Sequence, residues 1–292
     1  MNIALMVTSV SPFATPEYLQ AFGEAAEEEG FSAIWAPEHL VFLDEYESRY
    51  PYAEDGRVPT GGESGILEPF DTLAFLAAVT SRIRLGTGIC LVPQRNPAYT
   101  AKQVSTVDWL SNGRVDFGVG VGWLEEEFQV AGVPFEERGA RTRDYVEAMR
   151  RLWCDPISEY DGPYYRFPAC RMYPKPVQQP HPPVYFGGES DPALRRVADA
   201  GDGWLGFNHT PETATERIAS LEALLADRGR TRDSVKISVS PYMLPIESLA
   251  LPGYADAGAD QVVLPAFAFD PESIRETIGR LGDDWVTAAS RL

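Results

Sequence analysis

The sequence predicts a (β/α)8 barrel that forms a single domain over residues 1–292. Two observations predict this fold. Short apolar runs alternate with amphipathic helix patterns from one end of the chain to the other, and eight such runs can be counted. An open doubly wound sheet rarely needs eight parallel strands, so it fits this count less well. At 292 residues, 44% of them hydrophobic, the chain can bury a core of this size.

The third and fourth predicted strands enclose one helix pattern and carry glycines near their carboxyl ends. Glycine inside a strand often marks a place where another group approaches the backbone closely, so this βαβ unit predicts a contact surface for a flat ligand. The eight predicted strands, in order, are Ile3–Thr8, Ala33–Ala36, Ile83–Val92, Val115–Val121, Pro183–Phe186, Gly203–Phe207, Val235–Ser240 and Gln261–Leu264.

The helix boundaries are predicted from capping residues. A capping side chain followed by proline opens four helices, since proline suits the first helical position. These pairs are Thr15-Pro16, Asp191-Pro192, Thr210-Pro211 and Asp270-Pro271. Glycine in the left-handed conformation is predicted to end four helices, at Gly30, Gly113, Gly201 and Gly229.

Two segments are insertions relative to a bare barrel. Residues Leu43–Pro69 follow the second strand, which puts them at the catalytic end of a barrel, and we expect them to form a lid over the substrate. Residues Asp155–Pro182 precede the fifth strand, and Asp161-Gly162 predicts a hairpin there, followed by a proline-rich extended connector. The lid carries three tyrosines and a glycine pair: Tyr46, Tyr50, Tyr52 and Gly61-Gly62.

Composition excludes several classes of partner. The formal net charge of −18 would repel the phosphate backbone of a nucleic acid, so no nucleic-acid partner is expected. No run approaches the roughly 18 apolar residues that a membrane span needs. The apolar start Met1–Val7 lacks the basic leader of a signal peptide and is interpreted as a buried strand. Three scattered cysteines argue against a disulfide framework, and we therefore expect a cytoplasmic protein.

The predicted catalytic end is poor in nucleophiles and metal ligands. Of the three histidines, His39 and His209 follow predicted strands, and two histidines without HxH or HExxH spacing do not make a metal centre. The three lysines lie elsewhere, which disfavours Schiff-base chemistry. A cofactor-free hydrolase is therefore disfavoured, and a bound redox cofactor fits better. Residues Gly187–Pro192 could bind its phosphate at a helix start, or form an ordinary turn capped by Ser190 or Asp191.

Eight segments spread over nearly the whole chain resemble the luciferase-like flavin- and deazaflavin-dependent oxidoreductases. They are Gly30–His39, Arg84–Gly88, Asn96-Pro97, Leu110–Trp123, Glu127-Phe128, Glu137–Gly139, Tyr185–Gly188 and Ala200–Trp204. The resemblance implies a barrel, often dimeric, that binds FMN or coenzyme F420 at the strand ends. It places the ring against Gly88 and Ile89, often joined by a cis peptide, and the phosphate at Gly187, Gly188, Glu189 and Ser190.

This resemblance favours F420 over FMN, with a small organic molecule as the substrate. Deazaflavin enzymes that oxidise sugar phosphates carry an acidic glutamate where this chain has Trp123, so that substrate class is not expected. The alternatives are an FMN-dependent monooxygenase and a cofactor-binding relative without turnover. A homodimer is expected, with the apolar residues of Thr72–Thr80 and Thr100–Leu110 forming the contact.

The individual site residues receive the following roles. His39 is the candidate catalytic proton donor or acceptor. Glu38 either hydrogen-bonds near the ring or satisfies backbone donors, while Val121 and Trp123 are expected to line the pocket. Three arginines on the predicted helix before the hairpin are expected to pair with carboxylates at the surface: Arg138, Arg141 and Arg143.

Overall fold

The chain folds as a closed barrel of eight parallel strand positions with helices outside it, which confirms the predicted fold class. The computed structural model describes residues 1–59, 62–245 and 247–292. Pairing of β1 with β11 and of β3 with β5 closes the sheet. The barrel strands are β1 (Asn2–Met6), β2 (Ala33–Ala36), β3 (Arg84–Thr87), β4 (Cys90–Leu91), β5 (Val115–Gly120), β8 (Val184–Gly187), β9 (Gly203–Phe207), β10 (Lys236–Ser240) and β11 (Gln261–Pro265), with β6 (Ser158–Asp161) and β7 (Arg166–Cys170) outside the barrel.

The third barrel position differs from the prediction of one strand over Ile83–Val92. It consists of two short strands, β3 and β4, separated by Gly88 and Ile89. These two residues are joined by a cis peptide bond, as the family resemblance implied. The bond interrupts the strand, so that β3 and β4 pair with β5 separately.

The helices begin at the predicted caps with one adjustment. Thr15, Thr210 and Asp270 each accept a backbone hydrogen bond at a helix start, whereas α6 is capped by Ser190 and not by Asp191. The helices are α1 (Pro16–Glu28), α2 (Pro69–Val79), α3 (Pro97–Leu110), α4 (Glu125–Ala131), α5 (Arg138–Cys154), α6 (Asp191–Ala200), α7 (Pro211–Ala226), α8 (Leu251–Asp256), α9 (Pro271–Leu281) and α10 (Thr287–Ala289).

Three of the four predicted glycine caps have a positive φ angle. These are Gly30, Gly113 and Gly229. The prediction is wrong for Gly201, whose φ is −85°, because this residue is extended and leads directly into β9. No membrane-crossing helix is found in the described part of the chain, since none is both long and apolar enough.

Glycines in β3 and β5 accommodate protein neighbours. Trp35 is fully buried inside the barrel, and a Cβ on Gly86 would lie 2.3 Å from its ring. A Cβ on Gly118 would lie 1.9 Å from the Thr87 carbonyl oxygen. The close approach predicted from these glycines is therefore real, but at these two positions it serves packing inside the barrel and not contact with a ligand.

Both insertions lie where the sequence placed them. The predicted hairpin is confirmed, because β6 and β7 pair antiparallel. The described residues of the segment between β2 and α2 contain neither helix nor strand, apart from one bridge between Val10 and Ile66. Of the predicted glycine pair in this loop, Gly61 lies outside the described residues.

Candidate active site

A cavity of about 1310 Å³ opens at the carboxyl ends of the barrel strands. This is the end at which barrel enzymes place their chemistry. All ten residues predicted for the site line this cavity, so the structure brings them together; that they bind a cofactor stays a prediction. They are Glu38, His39, Gly88, Ile89, Val121, Trp123, Gly187, Gly188, Glu189 and Ser190.

His39 is oriented by a buried carboxylate. Its Nδ1 lies 3.2 Å from Oε1 of Glu127, a side chain that is only 1% exposed. Burial alone would raise the pKa of Glu127, but hydrogen bonds from His39, Gln94 and Leu40 outweigh it and leave that pKa below its ordinary value. An ionised carboxylate only accepts hydrogen bonds, so the Nδ1 of His39 carries the proton. Nε2 has no protein partner within the described ranges and is therefore available to a ligand.

Glu127 is a candidate site residue that the sequence did not point to. It belongs to α4 and is 88 residues away from His39 along the chain. Its Oε1 also accepts the backbone N–H of Leu40 at 2.6 Å, and its Oε2 accepts the Gln94 side chain at 3.1 Å. The available signal was the Glu127-Phe128 pair among the family motifs, which carried no role of its own.

Both carboxylate oxygens of Glu38 accept hydrogen bonds from protein groups, which is the second of its two predicted roles. Its Oε2 accepts the Leu91 backbone N–H at 2.6 Å, and its Oε1 accepts Nε of Arg95 at 2.7 Å. Arg95 also donates to Glu68 at 2.6 Å, just before α2. Glu38 thus fixes β4 next to the Gly88-Ile89 bond, and both of its oxygens are occupied.

A second histidine and carboxylate pair lies elsewhere on the cavity wall. Glu189 accepts a hydrogen bond from the Phe207 backbone N–H at 2.8 Å and contacts Nε2 of His209. The Nδ1 of His209 lies 3.2 Å from the Thr213 hydroxyl. Both ring nitrogens of His209 have protein partners, so this histidine connects segments of the cavity wall. His39 differs, because its Nε2 is available to a ligand.

Positive charge collects beside the turn that follows β8. Ser190 caps α6 here, and Gly188 has a φ of +106°, which favours glycine. The Nε of Arg196 is buried and has no hydrogen-bond partner among the described residues. Burial lowers the pKa of Arg196, and so do the neighbouring charges of Arg143 and Arg138. An anion bound here would relieve this repulsion and occupy the free donor.

The expected pairing of arginines with carboxylates on α5 is wrong. In the described part of the chain, none of Arg138, Arg141 and Arg143 forms an ion pair with a carboxylate. Arg138 donates to the Gly122 carbonyl at 3.1 Å, and Arg141 is buried and donates to the Pro134 carbonyl at 2.6 Å. The helix is less exposed than expected, and Arg138 lies against Gly122 of the cavity wall. Its charge adds to that of Arg196, which lines what is here called the cationic end of the cavity.

A chain of aromatic rings, here called the aromatic bridge, crosses the mouth of the barrel. From His39 the ring-centroid separations are 6.0 Å to Trp123, then 5.2 Å to Tyr50, 5.4 Å to Tyr52 and 6.0 Å to Phe207. His39 follows β2 and Phe207 ends β9, and these strands lie four positions apart either way around the barrel. The tyrosines come from the loop expected to be a lid, so this loop connects the two sides of the cavity; that it closes over a substrate stays a prediction.

Comparison with known proteins yields one family. Residues 3–246 match the family model of luciferase-like monooxygenases. An uncharacterized Mycobacterium tuberculosis protein, Rv0953c, is 34% identical over 246 residues, 83% of this chain and 85% of that protein. The FMNH(2)-dependent dimethylsulfone monooxygenase of Pseudomonas putida is 29% identical over 58% of this chain and 46% of its own length. An F420-dependent secondary alcohol dehydrogenase, solved with an F420-acetone adduct, has a TM-score of 0.78 at 16% identity, covering 98% of both chains, and this likeness concerns the fold alone.

Proposed function

The chain belongs to the luciferase-like monooxygenase family, and from this premise we propose that it is an oxidoreductase that transfers hydride between coenzyme F420 and a small organic substrate. The observation that supports this proposal most directly is that one cavity combines a cationic end with a histidine, His39, whose Nε2 has no hydrogen-bond partner among the described residues. Such a site suits an anionic cofactor that brings its own redox chemistry.

The residues present fit a flavin-type cofactor. The turn Gly187–Ser190, the start of α6 and Arg196 would hold its phosphate, since the buried Nε of Arg196 lacks a partner among the described residues. Gly88 and Ile89 would support one face of the ring, and Val121 and Trp123 would border it. When bound, such a cofactor supplies or accepts a hydride at its ring.

His39 would carry the proton that accompanies the hydride. Glu127 fixes the proton on Nδ1, so Nε2 is the nitrogen that takes a proton from the substrate or, once protonated, returns it. The aromatic bridge would keep water from the reacting atoms. The cavity exceeds the ~300–1,000 Å³ typical of single-ligand pockets, which supports room for cofactor and substrate together.

We favour F420 over FMN on two grounds. The motifs match deazaflavin-linked members of the family, which carry the glycine-rich segment ending at Trp123. F420 also bears carboxylates beyond its phosphate. Arg196 lines the cavity, and Arg138 and Arg143 lie close enough to add their positive charge to this end. The second candidate is an FMN-dependent monooxygenase, which the Pseudomonas putida relative favours by its name.

Turnover with and without oxygen distinguishes these two candidates. We expect protein supplied with reduced F420 to reduce a neutral quinone such as menadione to the quinol, the hydride and one proton entering the quinone. The rate, followed by the return of oxidised F420 absorbance, is expected to be the same in air and under nitrogen. Oxygenated product formed from reduced FMN only in air would favour the monooxygenase instead.

We also propose a homodimer. The exposed end of α3 carries Trp109 and Leu110, which are 58% and 62% exposed in the single chain. Apolar surface of this kind often marks a protein contact. Light scattering at micromolar concentration is expected to give twice the chain mass of 32.2 kDa, and the double variant Trp109→Glu, Leu110→Glu is expected to give the single mass. A single mass for the unaltered protein would end this proposal.

A further inference from the structure

The part of the cavity away from Arg196 is mostly apolar, with uncharged hydroxyl groups at Thr8, Ser9 and Ser64. In the described residues, the charged side chains lining the cavity are Glu38, Glu189 and Arg196. The two carboxylates already have protein partners, and Arg196 belongs to the cationic end. The remaining wall, here called the apolar compartment, is lined by Val10, Phe13, Phe42, Ile66, Phe267 and Phe269.

The outer edge of the apolar compartment exposes large aromatic side chains. Phe267 and Phe269 are 64% and 69% exposed, and the rings of Phe13 and Phe269 are 4.8 Å apart. Exposed aromatic residues that cluster at a cavity differ from single apolar residues scattered over a surface, because a cluster marks a place where apolar area is covered by a ligand.

Uncharged tyrosine hydroxyl groups provide further polarity in the same cavity. The Tyr50 hydroxyl donates to the Tyr242 oxygen at 2.9 Å. Burial raises the pKa of Tyr50 and of Tyr52, so both phenols stay neutral near pH 7. Because its oxygen already accepts from Tyr50, the Tyr242 hydroxyl can donate its own proton to a ligand. Tyr242 also has a φ of +48°, a conformation that an aromatic residue rarely adopts and that is concentrated at functional sites.

We propose that the apolar compartment selects, as the substrate of this enzyme, an uncharged ring-bearing molecule with one hydroxyl or carbonyl oxygen. An ion entering the compartment would lose its hydration without finding a counter-charge, whereas a neutral ring gains contact with aromatic faces and one hydrogen bond from tyrosine. The inference rests on the proposed function, since it assigns the cationic end to the cofactor.

Calorimetric titration with three probes of one ring system tests this inference. The probes are 2-acetylnaphthalene, the anion 2-naphthoate and the cation 2-naphthylmethylammonium. In F420-loaded protein the neutral probe is expected to bind at least about tenfold more tightly than either ion, with a negative heat-capacity change. Equal or tighter binding of an ion, or no binding of the neutral probe up to its solubility limit, would overturn the inference.

Substitutions in the apolar compartment test whether the preference for the neutral probe arises there. Phe269→Arg is expected to strengthen 2-naphthoate binding about two- to fivefold, as an exposed ion pair allows, and to weaken binding of the neutral probe. Leu249→Arg is the matched control, because Leu249 is 86% exposed and does not line the cavity. Tyr242→Phe is expected to weaken 2-acetylnaphthalene but not unsubstituted naphthalene. Unchanged affinities in Phe269→Arg would place the probes elsewhere and contradict the inference.

A second arm separates failure of this inference from failure of the proposed function. The same titrations are repeated with inorganic phosphate in place of F420, so that the arginines are occupied without any cofactor. If F420 does not bind but the neutral probe is still preferred, the proposed function fails and the compartment's selectivity stands. If F420 binds and the preference is absent, only the inference fails.

Discussion

Replacing His39 by alanine is expected to lower the turnover number by roughly 10²–10⁴-fold, the range over which a general acid or base contributes. The affinity for the cofactor should stay nearly unchanged, because proton transfer contributes to the transition state and little to ground-state binding. Steady-state kinetics with reduced F420 and a fluorescence titration of F420 measure these two quantities separately.

Two further variants define the role of the histidine. Glu127→Gln is expected to lower turnover strongly as well, because an amide can donate to Nδ1 of His39 and so favour the wrong tautomer. His209→Ala serves as the matched control, since both nitrogens of His209 have protein partners, and it should reduce thermal stability more than activity per folded molecule. If His39→Ala behaves like this control, the catalytic assignment is wrong.

Arg196→Met is expected to weaken F420 binding about 10–100-fold, because a hydrogen bond to a charged group contributes about 1.5–3 kcal/mol. Without cofactor, the Arg196→Met variant should be no less stable than the unaltered protein. Burial and the charges of Arg143 and Arg138 already lower the pKa of Arg196, so removing its charge relieves an unfavourable arrangement. A fluorescence titration and a thermal melt, each on the same preparation, measure both effects.

Arg195→Met is the control for this variant. Arg195 lies next to Arg196 on α6, but its side chain is exposed and does not line the cavity. We therefore expect nearly unchanged F420 binding in Arg195→Met. An equal loss of affinity in both variants would show that the arginine at position 196 acts only through the general charge of the helix.

The fold was predictable from the sequence because its signals are local. Apolar runs specify the barrel strands within a few residues, proline caps specify the start of four helices, and eight strand-helix units suffice to close a barrel. The break between β3 and β4 has no periodic signal of its own and came from the family resemblance. Gly201 shows the limit of a local rule, because the strand that follows requires an extended backbone there.

The location of the candidate site was predictable from the sequence, but the contacts between its side chains were not. Residues at strand ends meet at one rim in any barrel, so His39 and Gly187 could be placed together from sequence order alone. The contact between His39 and Glu127 depends on how α4 returns toward β2, and charge patterns along α5 did not reveal that its arginines converge on Arg196. Such contacts are set by packing between distant segments.

The central claim is that the cavity at the carboxyl ends of the strands binds an anionic deazaflavin, and titration of cofactor-free protein with F420 and FMN tests it most directly. Absorbance and fluorescence of the cofactor report binding in each case. We expect saturable binding of F420 with a dissociation constant clearly below that of FMN. Comparable constants would refute the preference for F420, and absence of binding by either cofactor would contradict the claim itself.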